Sequence, residues 1–344
     1  MDTLWTLETH GDPLGAVRGL MQAVWSQSSL DGMLVPLNGD GHILTKPRLL
    51  ENPAQLEEVN PFKPLMMENA SRRVPRLRAE RPNARLGALL RPCEMRALIE
   101  MVKHDSFDLD GFLTVSVDCL GTFPADEYEW RAARKESNDS LTRETIQFVK
   151  QGGILAYRYR SACQMCVSPE ASSADLNINV LGLPARQHIL VRARDEATAE
   201  RLKLDAITDG VAEPHSISQH ERVLARMTER LNRTMERVTQ GLGELLPQNV
   251  DAIIEQLESC GDCQGCMQAC PICAVDFPDR DQDGHYRPED VKRWLVSCAG
   301  CGMCEQACPT HLPLSTIFRH IREKLSAELG YVPGLSLDEP LPAI

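Results

Sequence analysis

The chain of 344 residues has no excess of positive charge and no long apolar run, and each lack removes a class of function. Lysine and arginine number 37 against 49 aspartates and glutamates, a net charge of −12. A polyanion such as nucleic acid is therefore not an expected partner. No apolar stretch approaches the length of a membrane span, and the opening "MDTLWTLETHGD" is acidic where a secretory signal would be basic and then apolar. The expected location is cytoplasmic. In that reducing compartment the thirteen cysteines are expected as metal ligands rather than as a disulfide framework.

What is abundant is cysteine in two short blocks. "CGDCQGCMQACPIC" (260–273) places Cys260, Cys263 and Cys266 at C-x-x-C-x-x-C, with Cys270 and Pro271 following. "CAGCGMCEQACP" (298–309) repeats the pattern with Cys298, Cys301, Cys304, Cys308 and Pro309. Zinc sites use two well-separated C-x-x-C pairs, whereas three thiolates at this spacing wrap one 4Fe–4S cubane and the fourth cysteine of each run serves the other cubane. The expected sets are Cys260, Cys263, Cys266 with Cys308, and Cys298, Cys301, Cys304 with Cys270. A pair of zinc knuckles is the alternative. Cys273 is left over, as a small buried hydrophobe or as a substitute for Cys270. Between the blocks, "DRDQDGHYRPED" carries Asp279, Asp281, Asp283 and Gly284 at calcium-loop positions, but Asp290 stands where a bidentate Glu belongs. A solvated turn is expected.

Residues 216–258 carry apolar side chains at helical intervals among charges and read as one or two connecting helices, their arginines on a solvated face. Residues 1–215 alternate short apolar runs with helical patterns, which gives an α/β domain. Asp12 and Pro13 start a helix over 12–27, and 32–37 and 42–46 read as strands. Strand 86–91, helix 93–104 and strand 112–117 form a βαβ unit, so the strands are parallel and their carboxyl ends share one edge. That edge is where open α/β sheets bind ligands. Cys93 and Cys119 each follow one of these strands, and Cys163 and Cys166 form a further C-x-x-C after a stretch read as a long helix. Together the four suggest a third cluster, with zinc or unrelated core thiols as alternatives. The basic island "SRRVPRLRAERPNAR" (71–85) reads as a solvated face, or as a contact for a dinucleotide phosphate or an acidic partner.

"RPCEMRAL", "VDCLGTFP" and "ACQMCVSPEASSADLNIN", in this order, resemble the beta subunits of coenzyme F-420-reducing hydrogenases and formate dehydrogenases. The resemblance implies one 4Fe–4S cluster on Cys93, Cys119, Cys163 and Cys166 beside a flavin (FAD), and a C-terminal two-cluster ferredoxin module like that of the formate dehydrogenase branch. The expected architecture is an α/β N-terminal domain (1–215), connecting helices (216–258), a C-terminal α+β ferredoxin-like module (259–328) and a tail (329–344). The expected function is electron transfer as the beta subunit of a multisubunit oxidoreductase, most like formate dehydrogenase. The partner would be a catalytic alpha subunit of a dehydrogenase or hydrogenase, since no molybdenum or tungsten motif is present. A self-contained flavin and iron–sulfur reductase, or an adaptor to heterodisulfide reductase-like proteins, are the other readings. One departure stands out: where the family opens with a di-glycine loop near the flavin, Asp12 takes the second position, and a carboxylate there occupies the anion site a phosphate would use.

Overall fold

The computed structural model describes residues 3–38, 44–105, 107–137, 139–152 and 158–344. Seven strands, β1 (Leu4–Glu8), β2 (Gly32–Asn38), β3 (Thr45–Leu50), β4 (Leu86–Leu90), β5 (Phe112–Val117), β6 (Leu176–Asn179) and β7 (His188–Ala193), form one sheet. Their order is β1-β7-β6-β5-β4-β2-β3. The centre, β2, β4, β5 and β6, is parallel; at the flanks β7 and β3 run against it, and β1, antiparallel to β7, runs with it.

Alternation along the strands shows why the sheet is covered on both faces. Met33 and Val35 of β2, and Leu113, Val115 and Val117 of β5, join Val17, Leu20, Met21 and Val24 of the Pro13–Ser28 helix in one apolar layer. Leu34, Leu86, Ala88 and Leu90 turn the other way, onto Leu98 and Ile99 of the Pro92–Asp105 helix. A parallel strand buried on both sides reads as a continuous apolar run, and "LGALL" and "FLTVSV" are such runs. Asp12 caps the first helix as expected, accepting the Gly15 N–H at 3.1 Å.

Several expectations need correcting. The strand expected over 42–46 is β3, Thr45–Leu50; residues 42 and 43 lie outside the described residues. Lys46, Pro47 and Arg48 hide it, which an edge strand tolerates because one side of its backbone stays unpaired. The stretch before Cys163 is not a long helix. It contains two short ones, Ala125–Ala132 and Ser140–Ile146, then a 3-10 turn, Val149–Gln151, that ends where Gly152 takes φ +85°. The polar stretch after Cys166 holds β6 at the centre of the sheet, where Asn177 and Asn179 are fully buried. Asp118 makes this possible. Its carboxylate accepts from Ala171 N–H (3.0 Å), Asn179 Nδ2 (3.0 Å), Val180 N–H (2.8 Å) and Leu181 N–H (3.0 Å). No helix among the described residues is long and apolar enough to cross a membrane.

The connecting segment is one 29-residue helix, Pro214–Leu242, and a second, Val250–Ser259. Beyond it the chain is helical: among the described residues no strand follows the Val250–Ser259 helix, only the isolated bridge Arg280↔Tyr286. The β component expected of the C-terminal module is therefore absent from it. The aspartate-rich segment is the expected turn. Gly284 has φ +89°, Asp281 Oδ1 accepts the N–H groups of Asp283 (3.0 Å) and His285 (2.9 Å), and Asp290 pairs with Arg293. The basic island is spent locally, with Arg73 on Glu68, Arg76 on Glu80, Arg81 on Glu51, and Arg78 on the carbonyls of Asp108 and Asp110.

Candidate electron-transfer sites

The βαβ unit delivers two thiols to one edge as its topology requires. β4 and β5 pair in parallel from Leu86↔Phe112 to Leu90↔Ser116. Cys93 lies in the first turn of the helix after β4, and Cys119 two residues past β5. The Ser161–Gln164 helix, entered through an Arg160 N–H bond to the Thr122 carbonyl at 2.9 Å, brings in Cys163 and then Cys166. All four line one cavity of about 160 Å³. Gly121, with φ +91°, lets the chain pass the Tyr159 ring, which a Cβ would meet at 2.5 Å.

The same cavity is lined by groups the sequence did not announce: Cys301 from the C-terminal module, and Met227, Arg230 and Leu231 from the long connecting helix. Arg230, expected on a solvated face, is half-buried and donates to the Gly152 carbonyl at 2.9 Å. Arg160 is 7% exposed. It donates to Thr122 Oγ1 (2.8 Å) and Gln306 Oε1 (3.2 Å), and its Nη2 lies 3.8 Å from Cys163 Sγ, so it ties the two halves together at the cavity.

The electrostatics are those of crowded thiols. Burial pushes Cys119 up to about 11, with Arg91 pulling the other way and Cys163 and Cys166 adding to the rise. Burial likewise sends Cys93 well above its ordinary value, helped by Glu94, Cys119 and Cys301. At Cys163 burial also acts upward, but the Arg160 guanidinium and the Thr122 hydroxyl outweigh it and leave the thiol lowered. Neighbouring sulfurs that resist ionising together are a cation-binding set, since bound metal supplies the charge their thiolates need.

Cys260, Cys263, Cys266 and Cys308 line one cavity of about 400 Å³, with Leu257, Met267 and Phe318 beside them. Cys260 and Cys263 are exposed, so this group faces outward. Cys270 acts on Cys298, Cys301 and Cys304, and also on Cys266. Burial pushes Cys301 up to about 12, and Cys304 and Cys298 also rise. The fourth cysteine of each run comes near thiols of the other because two short helices, Gly265–Gln268 and Met303–Gln306, pack close enough that a Cβ on Gly265 would lie 3.1 Å from the Ala307 carbonyl oxygen. Each helix carries the third cysteine of its own run and leads into the fourth.

Cys273 is buried and joins the apolar cluster around Trp294 and Leu295. Its thiol donates to Cys270, and with Trp294 this brings Cys270 down to about 7 against the push of burial. Among the described residues no group of three His, Cys, Asp or Glu side chains converges on a single-ion site; the thiols surround cavities instead. One zinc ion would draw its sulfurs to about 3.8 Å from one another, at roughly 2.3 Å from the metal. A cubane spreads them further. The donor chemistry fits as well: Asn69 is fully buried, its Oδ1 accepts from the Ser71 N–H (3.1 Å) and hydroxyl (2.5 Å), and its amide nitrogen has no partner at ordinary hydrogen-bond distance. Asn69 is among the groups that favour the ionised form of Cys301 against the push of burial, and a metal-bound thiolate nearby would give the unpartnered nitrogen an acceptor.

Gly302 marks the seam between the halves. It has φ +71°, and an added Cβ would lie 2.4 Å from the Cβ of Ala162, in the helix before Cys163. Gly302→Ala should therefore cost roughly 1–3 kcal/mol, from the left-handed backbone and the overlap together. Urea unfolding of the purified chain measures it, and a loss under about 0.5 kcal/mol would show that the seam yields.

A mixed sheet whose four central strands are parallel, with thiols at their carboxyl edge, is backed by a cysteine-rich helical module. The chain is 28% identical over 304 residues, 76% of its own length and 76% of the other's, to "F420-dependent formate dehydrogenase 1 subunit beta" of Methanococcus maripaludis. It is thus related to formate dehydrogenase beta subunits, as its cysteine motifs suggested. Among solved structures, a chain from a study of the F420-reducing NiFe hydrogenase complex of Methanosarcina barkeri shares the fold. Its TM-score is 0.52 at 13% identity, covering 69% of this chain and 91% of that one. No family model matches the chain.

Proposed function

We propose that this chain is the electron-transfer beta subunit of a multisubunit, formate dehydrogenase-like oxidoreductase, and that it holds three 4Fe–4S clusters in a row. The observation that carries the reading is Cys301, which belongs to the middle set yet lines the same cavity as Cys93, Cys119, Cys163 and Cys166. The outer set is Cys260, Cys263, Cys266 and Cys308, the middle set Cys298, Cys301, Cys304 and Cys270, and the inner set the four thiols at the sheet edge. Bound there, the clusters would supply one-electron transfer.

The protein's own residues do the rest. Arg160 and Gly302 fix the spacing of the inner and middle sets. Arg91, Arg160 and Arg322 place positive charge beside thiols that must ionise to bind metal. The exposed Cys260 and Cys263 make the outer set the end nearest a catalytic partner subunit. The four carboxyl-edge thiols would serve the acceptor side. Flavin does not fit the start of the first helix, where Asp12 already takes the Gly15 N–H, and no step is assigned to it.

Cys119→Ala in the full-length chain, purified anaerobically, is the test. It should lose roughly a third of the iron, about four atoms, and keep the rest. Wild-type iron content in a folded variant would remove the inner cluster and the relay with it.

A further inference from the structure

The middle set differs from the outer one in what its sulfurs receive. Trp294, 2% exposed, donates its indole N–H to Cys270 Sγ at 3.2 Å. Phe318 packs edge-on against the indole at a centroid distance of 5.0 Å and holds it in place. At the outer set, among the described residues, the side-chain partner on a sulfur is a hydroxyl, Thr310 on Cys308 at 3.3 Å.

Burial alone would make the middle site a poor electron acceptor, because one-electron reduction adds negative charge where water cannot reach it. An N–H dipole pointed at a ligand sulfur favours that added charge, and favours it more in a dry interior. We infer that Trp294 is a positioning residue that acts through Cys270 to hold up the reduction potential of the middle cluster. The inference rests on the cluster assignment proposed above and goes beyond it. Its consequence is that the middle site is a stepping stone rather than a barrier between the outer set and the sheet edge.

The test is redox titration of the anaerobic full-length chain, monitored by electron paramagnetic resonance, beside iron and sulfide analysis. Trp294→Phe keeps the ring packing and removes the N–H. It should leave iron and sulfide unchanged, move one midpoint to more negative potential and leave the other midpoints where they were. Unmoved midpoints with iron retained overturn the inference. A second measurement needs no variant: wild-type chain with indole nitrogen-15 in its tryptophans should show a nitrogen-15 coupling to one reduced cluster in pulsed spectra. Of the four tryptophans, Trp294 is the one bonded to a cysteine sulfur. No such coupling in an iron-loaded wild type also overturns the inference. A wild type that takes up no iron overturns the cluster assignment instead, and this inference with it.

Discussion

Cys308→Ala should strip the cluster held by Cys260, Cys263 and Cys266 while sparing the one nearest Cys304, although Cys308 is only four residues from Cys304 in the chain. The structure gives the reason. Cys308 lines the cavity of the first block's thiols, and Cys260 feels the charge of Cys263 and Cys308 together. The Thr310 hydroxyl and the backbone N–H groups of residues 310–312 lower the Cys308 thiol against the effect of burial, so it is ready to act as a ligand. The substitution should remove roughly a third of the iron, because three remaining thiols on a surface-facing site hold a cubane poorly. Loss of the signal of the buried middle cluster in place of the outer one would reverse the assignment of both sets.

Glu100→Ala should be the most destabilising change outside the thiols. Glu100 is fully buried in the helix that follows β4. It accepts from Lys103 Nζ at 3.2 Å, from the Tyr331 hydroxyl at 2.7 Å to each oxygen, and from the Gly334 N–H at 2.8 Å. Lys103 is 4% exposed, and without Glu100 its charge would remain in the interior with only the Tyr331 hydroxyl and ring beside it. Removing one partner of a buried ion pair costs about 3–5 kcal/mol. The effect reaches the sites, because Gly334 packs directly on Arg96, and Arg96 donates to the Ser168 and Ala299 carbonyls beside two of the thiol sets. Urea unfolding and proteolysis should show lost stability together with early cleavage of the segment after Leu329. The double variant Glu100→Leu, Lys103→Met should recover much of the loss, since the unpaired charge goes too. A single variant within about 1 kcal/mol of wild type would mean that residues 330–335, a strap laid over this helix, carry little.

That strap had been expected only as a tail, and the difference shows where sequence reading stops. Nothing in "YVPGLSLDEP" announces that Tyr331 and Gly334 converge on a glutamate more than 200 residues earlier. In the same way β6 was hidden in "LNIN": asparagines there are polar by composition, yet they are paired inside the sheet through Asp118 and their own loop. The fixed spacing of the cysteine blocks pointed to the two C-terminal sets proposed above, because a cubane's ligands must be supplied by a backbone of defined reach. The parallel βαβ unit equally determined that Cys93 and Cys119 share an edge, since crossover handedness and strand direction leave no other arrangement.

Spacing and strand direction are local constraints, and the sequence carries them in full. What only the tertiary structure decided is which of these pieces face each other: Cys301 in the wall of the inner cavity, Arg160 spanning both halves, Trp294 on the Cys270 sulfur, and the strap over Arg96. Those contacts join residues far apart in the chain, and their geometry is set by how two apolar surfaces pack, for which no periodicity or motif in the sequence is a sign.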